Sequence, residues 1–186
     1  MDRRDLSQYG LLLLLAILGG VWILLSREPV QESQNFLTEA PLVGHLAPDF
    51  ALPTPDGEMI ALADYVNRED GGQPVVLNFW ASWCGPCRIE TPYFQTLSRR
   101  YEGQVAFLGV NQGESLDTIT DFAASYGLSY PLLYDPDNSV NDAYHVFNLP
   151  TTIFIDGEGV IREVYVGAIS QAVLQDRVNR LLGEAS

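Results

Sequence analysis

A pair of cysteines, placed where an apolar run meets a helical pattern, constrains this chain more than any other feature. Cys84 and Cys87 are its only two cysteines. The apolar residues 74–80 precede them, and a helical pattern runs from Cys84 to about residue 101. In that setting a Cys-x-x-Cys pair indicates a dithiol that closes to a disulfide rather than a metal site.

The start of the helix explains why such a pair reacts. Unpaired backbone N–H groups and the positive end of the helix dipole favour a thiolate at Cys84. Cys87 lies one turn further on the same face, within reach of a small disulfide loop. We therefore interpret Cys84 as an accessible attacking thiol and Cys87 as the resolving thiol. Glu90, on the same face, is the candidate proton acceptor and donor for Cys87.

Three alternative interpretations stay open at this point. A structural zinc site needs four ligands, and His45 and His145 are the only histidines that could complete a set. A purely structural disulfide is the second alternative, although so short a loop removes little entropy from the unfolded chain. Glu90 is also typical of an ordinary acid that favours the start of a helix.

The residues around the cysteines resemble a known active site. Residues 83–87, Trp-Cys-Gly-Pro-Cys, are similar to the active site of thioredoxins. The longer Trp-Cys-Gly-Pro-Cys-Arg-x-Glu-x-Pro pattern, ending at Pro92, resembles membrane-anchored thiol-disulfide oxidoreductases of the ResA, TlpA and CcmG type. Three further segments match that branch, namely 47–50, 110–114 and 149–152. The resemblance extends from about residue 44 to residue 182.

This resemblance implies a fold and a set of site residues. The fold is a thioredoxin-like α/β domain, with a central mixed sheet flanked by helices and an N-terminal β-hairpin extension. Pro150 is expected to be cis and to face the disulfide, so that Leu149 and Pro150 form a docking edge for the substrate chain. Trp83 is expected at the same docking surface, and the carboxylate of Glu90 is tied to acid–base chemistry. Neither a metal nor a cofactor is predicted.

One position departs from cytosolic thioredoxins, which carry a buried Asp in the strand before the active site. This chain has Asn78 there, and an amide does not titrate. Glu90 is the obvious replacement for the proton relay. The alternative is that Asn78 is a satisfied strand amide with no role in turnover.

The resemblance also implies an activity. We expect an extracytoplasmic enzyme that reduces protein disulfides, such as the Cys-x-x-Cys-His of apocytochrome c, and that a membrane carrier of the CcdA/DsbD type recharges. General periplasmic disulfide exchange and a non-enzymatic, membrane-tethered binding module are alternatives. A peroxide-linked protein is another, because peroxiredoxins share the Ala-Pro-Asp-Phe opening. However, they carry Pro-x-x-x-Thr-x-x-Cys, and that proline and threonine are missing before Cys84.

The net charge excludes one class of partner, and the N-terminal segment indicates where in the cell the protein lies. A net charge of −14 argues against nucleic-acid binding, which needs clustered Lys and Arg. We predict a cytoplasmic tail over residues 1–8, a transmembrane anchor over 9–26, a linker over 27–43 and the thioredoxin-like domain over 44–186. A cleaved signal peptide is the rival to the anchor. Two arginines, Arg3 and Arg4, precede the predicted anchor, whereas one, Arg27, follows it directly. This excess of positive charge favours a cytoplasmic N-terminus, so we expect the domain on the periplasmic side of the inner membrane.

Local patterns predict the elements of the domain. A Pro-Asp-Gly turn predicts a hairpin, and alternating apolar runs and helical patterns predict an α/β sheet with helices on both faces. The predicted strands of the sheet are 74–80, 105–111, 130–134, 151–155 and 160–166. The predicted helices are 84–101, with a kink at Pro92, then 115–126, 139–144 and 170–182.

Overall fold

The computed structural model describes residues 41–66, 68 and 71–183. The predicted tail, the predicted anchor and most of the predicted linker lie outside the described residues, and those boundaries stay predictions. Within the described ranges, no helix is both long enough and apolar enough to cross a membrane.

A five-stranded mixed sheet forms the centre of the domain. The strand order is β5-β4-β3-β6-β7, with β3, β4 and β5 parallel and β6 and β7 antiparallel to their neighbours. The strands are β3 (Val75–Trp80), β4 (Ala106–Gln112), β5 (Leu132–Asp135), β6 (Thr151–Ile155) and β7 (Ile161–Val166). All six residues of β3 are buried, as expected for a central strand covered on both faces.

Four α-helices are joined to this sheet. They are α1 (Gly85–Arg100), α2 (Leu116–Tyr126), α3 (Ser139–Ala143) and α4 (Gln171–Leu181). Ser115 and Ser170 cap α2 and α4 through their hydroxyl oxygens, which accept backbone N–H bonds. Gly127 ends α2 in the left-handed conformation at φ 59°. The predicted elements are thus confirmed to within one or two residues at most of their ends, and α1 continues through Pro92.

The predicted N-terminal hairpin is present but short. It pairs β1 (Ala51–Pro53) with β2 (Met59–Ala61) in an antiparallel ladder, followed by a 3-10 turn at Leu62–Asp64. The Thr54 N–H donates to the carbonyl of Glu58 and closes the turn.

The alternation of β3 determines which side chains reach the active-site helix. Leu77 and Phe79 point into the cluster formed with the hairpin and α3, whereas Val76 packs with Phe94 of α1 and Leu174 of α4. Successive strand residues face opposite sides, so Asn78 and Trp80 share the face of Val76, beneath α1. The mixed sheet with helices and the hairpin on its two faces is the thioredoxin-like arrangement that the resemblance implies.

Candidate active site

The two cysteines form a disulfide at the start of α1. The Cα atoms of Cys84 and Cys87 are 5.3 Å apart, and Cys84 is the N-cap residue of the helix. The Cys87 N–H donates to the Cys84 sulfur at 3.2 Å. The sulfur of Cys84 therefore accepts one of the N–H groups that a helix leaves unpaired at its start, as the sequence predicts.

The expectation of an accessible Cys84 is wrong for the disulfide form. Cys84 is 4% exposed and Cys87 1% exposed, because both pack in a cluster with Trp80, Phe122 and other apolar residues. The position of Trp83 is different: its side chain is 67% exposed. The site therefore presents an open aromatic side chain beside a nearly covered disulfide.

Glu90 is a buried carboxyl group, not an ordinary acid at the surface. It is 1% exposed and lies beyond the first turn of α1. The Asn78 side-chain amide donates to its Oε1 at 2.9 Å, and the Ile169 N–H donates to its Oε2 at 2.8 Å. Burial raises the pKa of Glu90 to about 7, although both hydrogen bonds act in the opposite direction. A carboxyl group with this pKa can accept and release a proton near neutral pH.

Asn78 contacts the candidate acid–base group directly. Its amide nitrogen donates to Glu90 and also to the Thr152 hydroxyl at 3.1 Å. Both hydrogens of the amide therefore have acceptors, so Asn78 is a satisfied strand amide. It also holds Glu90 beside the central strand.

Of the two residues of the predicted docking edge, Leu149 packs beside the disulfide and Pro150 is buried. The Leu149–Pro150 peptide bond is cis, as the resemblance implies. Leu149 packs against the cluster that contains both cysteines, and the Pro150 carbonyl accepts the Gly167 N–H at 2.8 Å. The structure thus brings Cys84, Cys87 and Leu149 together, with Trp83 next to them in the chain.

No sequence pattern predicts a role for Glu114, whose carboxylate holds the turn before Cys84. Its carboxylate accepts the Ser82 N–H at 2.7 Å, the Ser82 hydroxyl, and the Asn111 side-chain amide at 2.7 Å. The only sequence feature that points to Glu114 is the match of residues 110–114 to the ResA type, and that match assigns no function to the loop.

A zinc site would need ligands beyond the two cysteines. In the part of the chain that the structure describes, no group of three or more His, Cys, Asp or Glu side chains could hold a metal ion. The cysteines are instead bonded to each other.

Comparisons with known proteins agree with this geometry. The sequence model of the AhpC/TSA family matches residues 43–164. The chain is 38% identical over 145 residues to the thiol-disulfide oxidoreductase ResA of Bacillus subtilis, covering 77% of this chain and 78% of that protein. It is 40% identical over 140 residues to ResA of Geobacillus kaustophilus, covering 74% and 78% of the two chains.

Solved structures give the same result for the fold. A secreted disulfide oxidoreductase of Mycobacterium tuberculosis, described as homologous to DsbE of E. coli, matches with a TM-score of 0.64 and 25% identity, over 70% of this chain and 95% of that one. A thiol:disulfide interchange protein of the thioredoxin family from Chlorobium tepidum matches with a TM-score of 0.67 and 26% identity, over 78% and 100%.

Proposed function

Since this chain belongs to the AhpC/TSA family, with a thioredoxin-like domain, we propose that it reduces disulfides of other proteins from a tethered position outside the cytoplasm. Its enzymatic class is that of its relatives: it is a thiol-disulfide oxidoreductase of the ResA and DsbE type. The direction of the reaction, the target and the location are the proposed parts.

One observation supports the chemistry above all others. A redox-competent cysteine pair opens α1, and a buried carboxyl group with its pKa near 7 lies one turn beyond Cys87 on the same helix. A structural staple would need neither the helix N-terminus nor an ionisable group that the fold has removed from solvent. Both are useful to a pair of thiols that must lose and regain protons.

The reaction follows from these positions. The Cys84 thiolate attacks one sulfur of a target disulfide, and the other target sulfur leaves as a thiolate. Cys87 then gives its proton to the Glu90 carboxylate and attacks Cys84. The bond between Cys84 and the target breaks, the target leaves fully reduced, and the Cys84–Cys87 disulfide forms. Two electrons pass from the cysteine pair to the target.

The nearly covered disulfide supports a role for the neighbouring docking surface. Trp83 is open to solvent, Leu149 packs against the cluster that contains the cysteines, and Pro150 directly precedes β6. A target chain laid along this docking edge would bring its own sulfur to Cys84. We therefore assign substrate docking to Trp83, Leu149 and Pro150, and the catalytic steps to Cys84, Cys87 and Glu90.

The target and the electron donor are proposed from resemblance. A Gly-Pro pair between the cysteines resembles the reducing members of the superfamily, and relatives of this chain are named ResA. We propose the Cys-x-x-Cys-His of apocytochrome c before haem attachment as the target, and a membrane carrier of the CcdA/DsbD type as the donor. The apolar, uncharged residues 9–25 support an anchor in the inner membrane, with the domain in the periplasm.

A trapping experiment tests the proposal. In a Cys87→Ser variant of the full chain, the first step proceeds but the second cannot, so a mixed disulfide with the target accumulates in cells. The matched Cys84→Ser variant should trap nothing and should lose insulin reduction. Equal insulin reduction by the Cys84→Ser variant would contradict the enzymatic role.

The direction of the reaction needs a separate measurement. A reduction potential near that of strong oxidants, about −120 mV, would contradict a reducing role. Rapid consumption of hydrogen peroxide by the purified chain would instead favour the peroxide-linked alternative.

A further inference from the structure

The two most exposed large apolar side chains of the described residues both belong to segments that reach the cysteines. Phe147 is 86% exposed and Trp83 is 67% exposed. Trp83 directly precedes Cys84, and Phe147 lies two residues before Leu149, which packs in the cluster that contains both cysteines. Two residues of chain span at most about 7 Å, so the Cα atom of Phe147 lies within that distance of Leu149. The proposed docking edge therefore continues to Phe147 along the chain.

The backbone that carries Phe147 is fixed at its start by the end of α3. The Val146 N–H donates to the Asn141 carbonyl at 2.9 Å, and the His145 N–H donates to the Asp142 carbonyl at 3.0 Å. His145 has a φ of 51°, the left-handed conformation that ends many helices with this pair of hydrogen bonds. Val146 is 8% exposed and packs in the cluster formed with the hairpin and α3. The chain thus reaches Phe147 from a buried, hydrogen-bonded residue.

The same segment is fixed at its other end. The Thr151 hydroxyl donates to the Asn148 carbonyl at 2.7 Å. Leu149 packs against two hydrophobic clusters, and Pro150 after it is buried. Phe147 is therefore exposed between two anchored points of the chain. A group that is held in place before binding loses less conformational entropy when it binds.

The Phe147 ring is supported at the surface rather than in the core. It stacks on the exposed imidazole of His145, with the ring centroids 6.3 Å apart and an angle of 20° between the planes. Since 86% of the Phe147 side chain stays in water, the fold gains little from its apolar surface. An aromatic side chain that is held in place but not buried is typical of an anchor for a binding partner.

The target chain of the exchange reaction fits this position better than a second copy of the protein does. A net charge of −14 makes two copies repel each other. A target must bring a sulfur atom to Cys84, beside Leu149, so its chain comes close to Phe147 during each reaction. An extended chain advances about 3.3 Å per residue. A target side chain two positions from the attacked cysteine therefore lies about 7 Å along the chain, comparable with the separation of Phe147 from Leu149.

We propose that Phe147 is a specificity-determining docking residue, which binds an apolar side chain that the target carries about two positions from the attacked cysteine. This inference deepens the proposed function, because it rests on exchange between Cys84 and a protein disulfide and names the class of target that the site prefers. The bonds that form and break are those already given. Phe147 contributes to binding alone, so loss of its ring should act on the half-saturating concentration of the target.

Two synthetic peptides test this preference. Both contain a Cys-Gly-Gly-Cys disulfide, and one carries leucine two positions before the first cysteine and two positions after the second, where the other carries serine. The reduced full chain is mixed with increasing excess of each oxidised peptide. Formation of the Cys84–Cys87 disulfide is followed by alkylation of the remaining thiols and mass spectrometry, which gives the maximal rate and the half-saturating peptide concentration.

Three variants accompany the wild type in this experiment. Phe147→Ser removes the ring, and Phe147→Leu keeps an apolar side chain in its place. The matched control is Met59→Ser, which replaces a side chain that is 58% exposed on β2 of the hairpin, outside the five-stranded sheet.

We expect the wild type to be half-saturated by the leucine peptide at about 10-fold lower concentration than by the serine peptide, an effect typical of one well-placed interface anchor. The Phe147→Ser variant should lose this preference, because its half-saturating concentration for the leucine peptide rises to that for the serine peptide. The Phe147→Leu variant should keep most of the preference, and the Met59→Ser variant should keep all of it.

Two results with the peptides would overturn the inference: equal half-saturating concentrations of the two peptides for the wild type, or a full preference for leucine in Phe147→Ser. A wild-type dimer that Phe147→Ser dissociates in analytical ultracentrifugation would also overturn it, since a second copy would then occupy Phe147. In each of these cases the exchange at Cys84 stands. If Cys84→Ser reduces both peptides at the wild-type rate, the proposed function itself falls, and this inference falls with it.

Discussion

Replacing Glu90 by Gln should change how the stability of the domain depends on pH. Folding raises the pKa of Glu90 from 4.5 to about 7, so the folded chain binds more protons than the unfolded chain between these values. The contribution of the protonated carboxyl group to stability is complete below pH 4.5 and is lost as the pH rises through 7. At about 1.4 kcal/mol for each pKa unit, this group lowers the unfolding free energy by about 3 kcal/mol between pH 4 and pH 8.

A glutamine removes this pH dependence at the expense of one hydrogen bond. Glu90 accepts the Asn78 amide at one oxygen and the Ile169 N–H at the other, whereas glutamine has one oxygen and one amide group. One buried donor therefore faces another donor, which destabilises the variant by about 1–3 kcal/mol at every pH. The wild type should be the more stable protein at pH 4, and the difference should shrink or reverse at pH 8.

Urea unfolding of the disulfide form at pH 4, 5, 6, 7 and 8 measures this difference, with the full chain in detergent if residues 9–26 require it. Other titrating groups are common to the two proteins and cancel when one curve is subtracted from the other. The control is Glu102→Gln, which replaces an exposed glutamate just past α1. The difference in unfolding free energy between this variant and the wild type should not change with pH. If the difference in unfolding free energy between Glu90→Gln and the wild type is also constant from pH 4 to pH 8, the argument that burial governs the titration of Glu90 is refuted.

Three further predictions concern packing and the turn before the disulfide. Gly109→Ala should lower the unfolding free energy by about 1–3 kcal/mol in urea, since its Cβ would lie 2.8 Å from Leu132. Tyr101→Phe removes a 2.6 Å hydrogen bond to α4, so urea unfolding should show a loss of about 1 kcal/mol, without a change in the rate of insulin reduction. Glu114→Gln weakens the charge-assisted bonds to Ser82, and stopped-flow measurements should show disulfide closure slowed several-fold.

The elements of the domain could be predicted from sequence because their signals are local. The apolar run of β3, the serine at the start of α2 and the glycine at its end each act within a few residues. The cis bond before Pro150 is different, since no local pattern requires it and only the resemblance to a family supplied it.

The surroundings of Glu90 could not be predicted in the same way. The Ile169 N–H that binds its Oε2 is 79 residues further along the chain, and Asn78 reaches it from another element. Such contacts depend on strand register and on how α1 crosses the sheet, which a local pattern does not determine. The burial of Cys84 is missed for the same reason, since the cluster that covers it comes from β3, α2 and the segment before β6.

The bonds of Glu90 join the active-site helix to the central strand and to the segment before α4. In the proposed mechanism, one ionisable group therefore serves both turnover and fold stability, so a change in its pKa would alter both properties. In an alkaline habitat this chain would keep an efficient base but would hold its fold less firmly, so adaptation there would require compensating substitutions elsewhere in the domain.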